Sequence, residues 1–395
     1  MPLLAPDTHR RNRRGAAGGV HRWIRTACIT LALLLIGSAA PSHAQEEDGT
    51  VVYVRADATT PPGSPDIGTS WENAYSSLSD ALSDLDAGAQ VWVAAGTYTP
   101  TTVSARRDEA FTLSRRGIQI YGGFTGTESA LSERPTPVDP TATVLSGDID
   151  GDGTPAGNSY RVVAMVASDP LSESDAPMRL DGLTITGGNA DAGGGSNNGL
   201  ENNKGAGISC MEACYAVLDN VIVENNRATD DAGGIRVEAS DDNMALQARN
   251  LIVRGNESGG NGGGLFMRAS GGEGIRAALG NIVVTGNRAS DNGGGIYVKS
   301  PTGTSGTTRI ANATIHGNQA GQRGGGLFYD LEGTSALSLS NSIVAGNASA
   351  SPSPSAEVFR FTSSNAGDVS ATLIAGLYRE GGFDPVVGSD AGGNI

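Results

Sequence analysis

Apolar and polar residues alternate in short bursts along this chain, and the bursts recur. The run NIVVTGN (281–287) places β-branched residues between two asparagines, and equivalent runs stand at 220–226, 250–256, 312–318 and 341–347. Their first asparagines lie 30, 31, 31 and 29 residues apart. A second burst, Gly-Gly followed by Ile235, Leu265, Ile296 or Leu327, keeps steps of 30, 31 and 31. A third short apolar segment precedes each first Asn, as at Leu246 to Ala248 and Leu337 to Leu339. Segments this short and this β-branched, bounded by Gly and Asn, are strands and not helices. One three-strand unit cannot bury its own apolar face, but stacked units can. The pattern predicts an all-β fold, a parallel β-helix with one circuit per repeat of about thirty residues and rungs roughly 4.8 Å apart.

In such a coil, like residues stack above like. Val223, Val253, Val284, Ile315 and Val344 form one inward column, and Leu218, Ala248, Leu279, Ile310 and Leu339 another. Asn suits these corners because it tolerates left-handed backbone and its amide can bond to the Asn above and below. The GGG runs fall where the chain bends or packs backbone closely.

Residues 51–190 share the strand pattern without the clean period. Between VVYV and VWVAAGTY lies TSWENAYSSLSDALSDLDAG, where Trp71, Ala74, Leu78, Ala81, Leu82 and Leu85 make one apolar face and Gly88 a stop. A helix over 69–88 is expected, covering the N-terminal end of the coil. The regular repeats span 180–348. Residues 349–395 are expected to form an irregular last coil, with SASPSPSAE as a loop. Everything after residue 44 is thus expected to be one β-helix domain, 45–395.

Residues 1–44 are set apart. Six arginines precede the apolar run ACITLALLLIGSAA, and Ser42-His43-Ala44 offers a small-x-small cleavage site. This is the plan of a secretory signal peptide, and the run is too short to span a bilayer comfortably. No transmembrane span is expected in the mature chain. Without 1–44 the chain carries 21 basic and 41 acidic residues, a net charge near −20. That balance opposes nucleic acid as a partner. Only Cys210, Cys214 and His316 remain of their kinds, too few for a histidine triad or a multi-His metal site. In an exported chain, Cys210 and Cys214 are expected to pair across a tight turn.

The string GTSWENAY…VWVAAGTYTP…IQIYGGFTGTESALSERP…TVLSGDIDGDG…NSYRVV resembles the N-terminal part of exported bacterial right-handed parallel β-helix proteins of the pectate-lyase-like superfamily, among them the choice-of-anchor proteins. The GGGI, GGGL and GN repeats resemble the GGAI and FxxN repeats of chlamydial polymorphic outer-membrane proteins, with Phe replaced mostly by Ile or Val. The resemblance covers residues 50–390. It implies right-handed coiling and export, and says little about activity. Family chains usually run on into a further strand and an anchor; this sequence stops at GGNI, so a truncated end is expected.

Candidate chemistry is sparse. Asp148, Asp150 and Asp152, followed by Gly153, match the first half of a calcium loop, with Ser159 where its bidentate Glu would stand. Calcium is therefore a candidate cofactor and an acidic surface turn the alternative. Phe266, Tyr297 and Phe328 follow the inward Ile/Leu positions, so period two turns them outward as a candidate platform for sugar rings, with a self-satisfied stack that stabilises the face as the alternative. Asn261 and Asn292, in a file with Asp231 and Arg323, could bond sugar hydroxyls. Arg227, Glu257 and Arg288 read as a solvated charge ladder, and His316 as a surface residue. No catalytic group emerges from the repeats. The expectation is a secreted or cell-surface protein of binding or adhesin-like role that contacts glycans. A polysaccharide lyase or glycoside hydrolase on the same scaffold is the alternative, favoured by carboxylates gathered on one outer face of successive rungs.

Overall fold

The computed structural model describes residues 49–395 except 84, 167–175, 194, 198–199, 212–213, 240–243, 272–273, 351–356, 361–367, 371–372, 375–376, 380–381 and 384–395. The signal-peptide segment lies outside the described residues. From Gly49 onward the chain forms one compact unit.

Each full circuit contributes three strands. The long one bends at its middle, as in Tyr215–Glu224, Met244–Arg254, Ile275–Thr285 and Thr307–His316. A two-residue strand follows, such as Arg288–Ala289, and then a Gly-rich arc and a five-residue strand, such as Ile296–Ser300. Repeated, these make sheets of 14, 10 and 6 strands. Strand pairing along the coil is parallel and in register: Val223 faces Val253, Val253 faces Val284, Val284 faces Ile315 and Ile315 faces Val344. The fold is a right-handed parallel β-helix. The predicted inward columns are buried throughout and belong to one continuous core. Each fully buried Val, Leu or Ile contributes about 1.5–3 kcal/mol.

The two asparagine columns divide the work. Asn220, Asn250, Asn281, Asn312 and Asn341 adopt φ of 47 to 54°, making the bend inside the long strand. Their amides run up the outside; Asn250 Nδ2, for example, donates to Asn220 Oδ1 at 2.9 Å. This outer ladder starts at a carboxylate, because Asn220 Nδ2 donates to Asp181 Oδ1. The second column, Asn226, Asn256, Asn287, Asn318 and Asn347, is buried. Each inner Nδ2 donates to the Oδ1 one rung on, at 2.9–3.0 Å, and that oxygen also takes the backbone N–H of the donating residue. The last donor, Asn347 Nδ2, ends on the Glu357 carboxylate. The residue before each inner Asn is left-handed too: Gly255, Gly286, Gly317 and Gly346, with Asn225 (φ 54°) in the first copy.

The helix is shorter than expected, Leu78–Ser83 instead of 69–88. Tyr75 is drawn to the edge of Val51–Val54, where its N–H donates to the Tyr53 carbonyl and its carbonyl accepts from Arg55 N–H. That edge pairing holds 69–77 out of helix. Trp71 points away from the coil interior and packs edge-on to Tyr53. Leu78, Ala81 and Leu82 enter the main core. Cys210 and Cys214 form a disulfide, with Cα atoms 5.5 Å apart, across the turn between Ile208–Met211 and Tyr215–Glu224. In the TGTE turn, burial of Glu128 would raise its carboxyl. Hydrogen bonds from Thr125, Gly126 and Thr127 outweigh this and hold it below the usual range.

Asn287→Ala would strand donors and acceptors on the two neighbouring rungs in a dry place, at a cost of about 3 kcal/mol. Asn281→Gly keeps a residue suited to φ 54° and removes only exposed bonds, so it should cost under about 1 kcal/mol. Urea midpoints compare the two; equal losses would contradict the division of roles.

Candidate functional site

Of the predicted residues, the aromatic column is the one the structure corrects. Phe266, Tyr297 and Phe328 do point away from the main core, but they are 1%, 7% and 5% exposed. Phe359 extends the file, and successive rings stack at 5.0, 5.1 and 5.5 Å with their planes nearly parallel. The ring faces are therefore used by one another. The glycine arc approaches from one side: a Cβ on Gly262 would lie 2.7 Å from that of Phe266. Asn292 donates to Asn261, and Asn261 to Asp231, so these amides form a third ladder ending on a carboxylate. A charged file runs on the other side. Glu238 joins Arg236 and Arg268, and Lys299 meets Asp330 at 3.2 Å. Burial pushes the Tyr297 phenol up. An open sugar platform is not what these residues make; period two predicts a side chain's direction but not what covers it.

Asp148, Asp150 and Asp152 do converge, each offering an oxygen within 4.8 Å of the others. Asp148 already accepts N–H from Gly151 and Gly153, and Asp152 accepts from Thr154. Arg227 and Glu257 lie 3.8 Å apart, half exposed, as a solvated pair. His316 is exposed, with Nδ1 against the Ala345 carbonyl.

The structure also assembles a group that the repeat frame did not. On the outer face of the long sheet one file reads Tyr53, Trp92, Tyr121, Asp181, Asp219, Arg249, each facing the next in register. Asp181 and Asp219 thus stand on neighbouring rungs, roughly 4.8 Å apart along the coil. Their outward direction follows from Leu180 and Leu218, which precede them and point inward. Asp181 is held by Arg134 Nη2 at 3.0 Å and by Asn220 Nδ2 at 3.0 Å. Asp219 pairs with Arg179, and Arg249 is exposed one rung on. Burial pushes the Asp219 carboxyl above its usual range; Arg179 opposes this and Asp181 adds to it. The signal was present as LDG (180–182), LDN (218–220) and ARN (248–250). Gly182, with φ 72°, takes the corner that Asn takes later, so an asparagine frame skips this rung.

A carboxyl titration of Asp219 should show a midpoint above that of an ordinary aspartate. Arg179→Met should raise it further, since the opposing cation is gone. A midpoint below the usual value in the native protein would contradict this site description.

A family model described as "Periplasmic copper-binding protein (NosD)" matches residues 189–323. No curated protein matches the chain. Among solved structures, pectin methylesterase PemA from Erwinia chrysanthemi is similar over 86% of this chain and 91% of its own, at 10% identity and a TM-score of 0.36.

Proposed function

We propose that this chain is an exported β-helix protein that contacts polysaccharide along the outer face of its long sheet. The observation that carries this reading is the in-register pair Asp219–Arg249, with Arg179 beside Asp219 and with Asp181, buried and held by Arg134 and Asn220, one rung behind. Carboxylate and guanidinium groups at rung spacing are strong partners for sugar hydroxyls, because charged hydrogen bonds contribute more than neutral ones. Arg249 and the outer asparagines extend the polar face over the next rungs. Export is supported by the basic and apolar run of residues 10–40, by the Cys210–Cys214 disulfide and by the periplasmic description of the matching family. A secreted or surface-held protein of adhesin-like role fits this reading. Among the described residues no helix is long and apolar enough to cross a membrane.

Glycoside hydrolysis is a second reading, favoured by the Asp181–Asp219 pair. Neighbouring carboxyls in unlike surroundings can take acid and base roles. In that reading Asp219, whose carboxyl burial pushes up against the opposing Arg179, takes the acid role. Asp181, bonded by Arg134 and Asn220, is placed to act as the carboxylate.

Calcium belongs to the proposal through Asp148, Asp150 and Asp152, hard oxygen donors of the kind that cation takes. Copper does not fit the described residues. It prefers imidazole and soft sulfur ligands. Among the described residues His316 is the sole histidine, the cysteines are oxidised, and Met165, Met178 and Met267 are buried.

A glycan array and a polysaccharide degradation screen test both readings. The array should show ligands bound at least about tenfold more weakly by Arg249→Ala. Product release by the native chain and not by Asp219→Asn would move the assignment to hydrolysis. Silence in both assays would overturn the proposal. Millimolar calcium should raise the thermal midpoint in the native chain and not in Asp150→Asn; no rise removes calcium.

A further inference from the structure

The outward file of the second sheet changes character below its aromatic rings. In register with Phe266 stand Arg236, then Ser209, then Ala164. Small side chains replace rings there, and two arginines gather beside them. Arg236 is 1% exposed and Arg161 is 2% exposed. Both reach one residue of the short hairpin of Ser196–Asn197 and Leu200–Glu201. Arg161 Nη2 donates to the Glu201 backbone carbonyl at 2.6 Å, and Arg236 Nη2 donates to the Glu201 carboxylate at 2.7 Å. Ser209, fully buried, faces Arg236 one rung away. A Cβ on Gly205 would lie 2.9 Å from Ser209 Oγ and 3.1 Å from Arg236 Cβ, so only glycine fits against this pair.

The hydrogen bonding is incomplete in a consistent way. Arg236 directs Nε and Nη2 to Glu238 and Glu201 but leaves Nη1 unmatched. Arg161 has the Glu201 carbonyl and, at 3.4 Å, Asn202 Oδ1, and leaves Nε unmatched. Ser209 Oγ is unmatched as well. Three buried donors from two cations and a hydroxyl thus lack an acceptor, and among the described residues no carboxylate bonds Arg161. Buried donors left without partners are costly, and more so when charged. Like charges brought together out of water cost more still. Burial, with the neighbouring Arg236 charge, lowers the Arg161 guanidinium to about 10.

We propose that a small inorganic anion of chloride size binds between Arg161, Arg236 and Ser209, beside the strand Leu200–Glu201. It accepts from Arg161 Nε, Arg236 Nη1 and Ser209 Oγ. It screens the two guanidinium groups from each other and fastens the hairpin to the second sheet through Glu201. The site is separate from the proposed glycan face and independent of it.

The test uses the full mature chain. An anion that binds the folded state alone raises its stability by mass action. At constant ionic strength, replacing gluconate with chloride to about 0.2 M should raise the thermal midpoint by about 2 °C and saturate. Ser209→Ala should shift the half-saturating concentration upward several-fold, and Arg161→Met should abolish the response. Crystals of the native chain grown in bromide should show anomalous scattering between the two guanidinium groups, an arm that needs no variant to fold. A midpoint indifferent to chloride, or water alone at that position in bromide crystals, overturns the proposal.

Discussion

The inner asparagine ladder is the constraint on which this coil depends. A parallel β-helix must turn a corner once per rung, and at that corner the backbone leaves its sheet. Its N–H and C=O groups then need other partners, in a place that water does not reach. The buried asparagines supply them. Each amide joins its neighbour one rung on, each Oδ1 also takes a backbone N–H, and each Nδ2 reaches a carbonyl of the strand before the corner, as Asn287 does with Val253. Because an amide donates at one end and accepts at the other, the column has a direction, and the last donor needs an acceptor that is not Asn. Glu357 is that acceptor. It takes the N–H groups of Gly346 and Asn347 as well as Asn347 Nδ2. The outer ladder ends in the same way on Asp181, and the short Asn292–Asn261 ladder on Asp231. A carboxylate is a stronger acceptor than an amide, which suits it to the end of a polarised chain of bonds.

This arrangement explains how a uniform scaffold acquires a distinct patch. Inward positions are fixed by packing and corner positions by hydrogen bonding, so the outward positions of the long sheet remain open to variation. On that face the repeats diverge from aromatic through acidic to basic and then small residues, from Tyr121 through Asp181, Asp219 and Arg249 to Gly280. Asp181 does two jobs at once. It ends the outer amide ladder and stands beside Asp219. The rung that carries it is also where the regular repeat begins.

The sequence made the coil legible because the same physical demand recurs every rung. The inward Val column and the left-handed Asn column follow from residue types at a fixed period, and the disulfide turn from two cysteines four residues apart in a chain expected to be exported. The site was less legible for two reasons. Gly182 takes the Asn corner, which hid the Asp181 rung from an asparagine frame. The segment 189–204 then lengthens the circuit, so the 38 residues from Asp181 to Asp219 fall outside the 29–31 rhythm. The aromatic file misled for another reason. Alternation gives the direction of Phe266 and Tyr297, but the arc that closes over them comes from the Gly-rich segment, whose path is set in three dimensions. The helix was overextended because apolar spacing in 69–77 serves an outer aromatic cluster and an edge pairing instead of a helix face.

Side-chain amide hydrogen exchange tests the central claim most directly. The Nδ2 protons of Asn256, Asn287 and Asn318 should exchange orders of magnitude more slowly than those of Asn250, Asn281 and Asn312, because the inner ladder opens only with the coil. Equally fast exchange in both columns would show that the inner amides do not hold the corners, and would contradict the account.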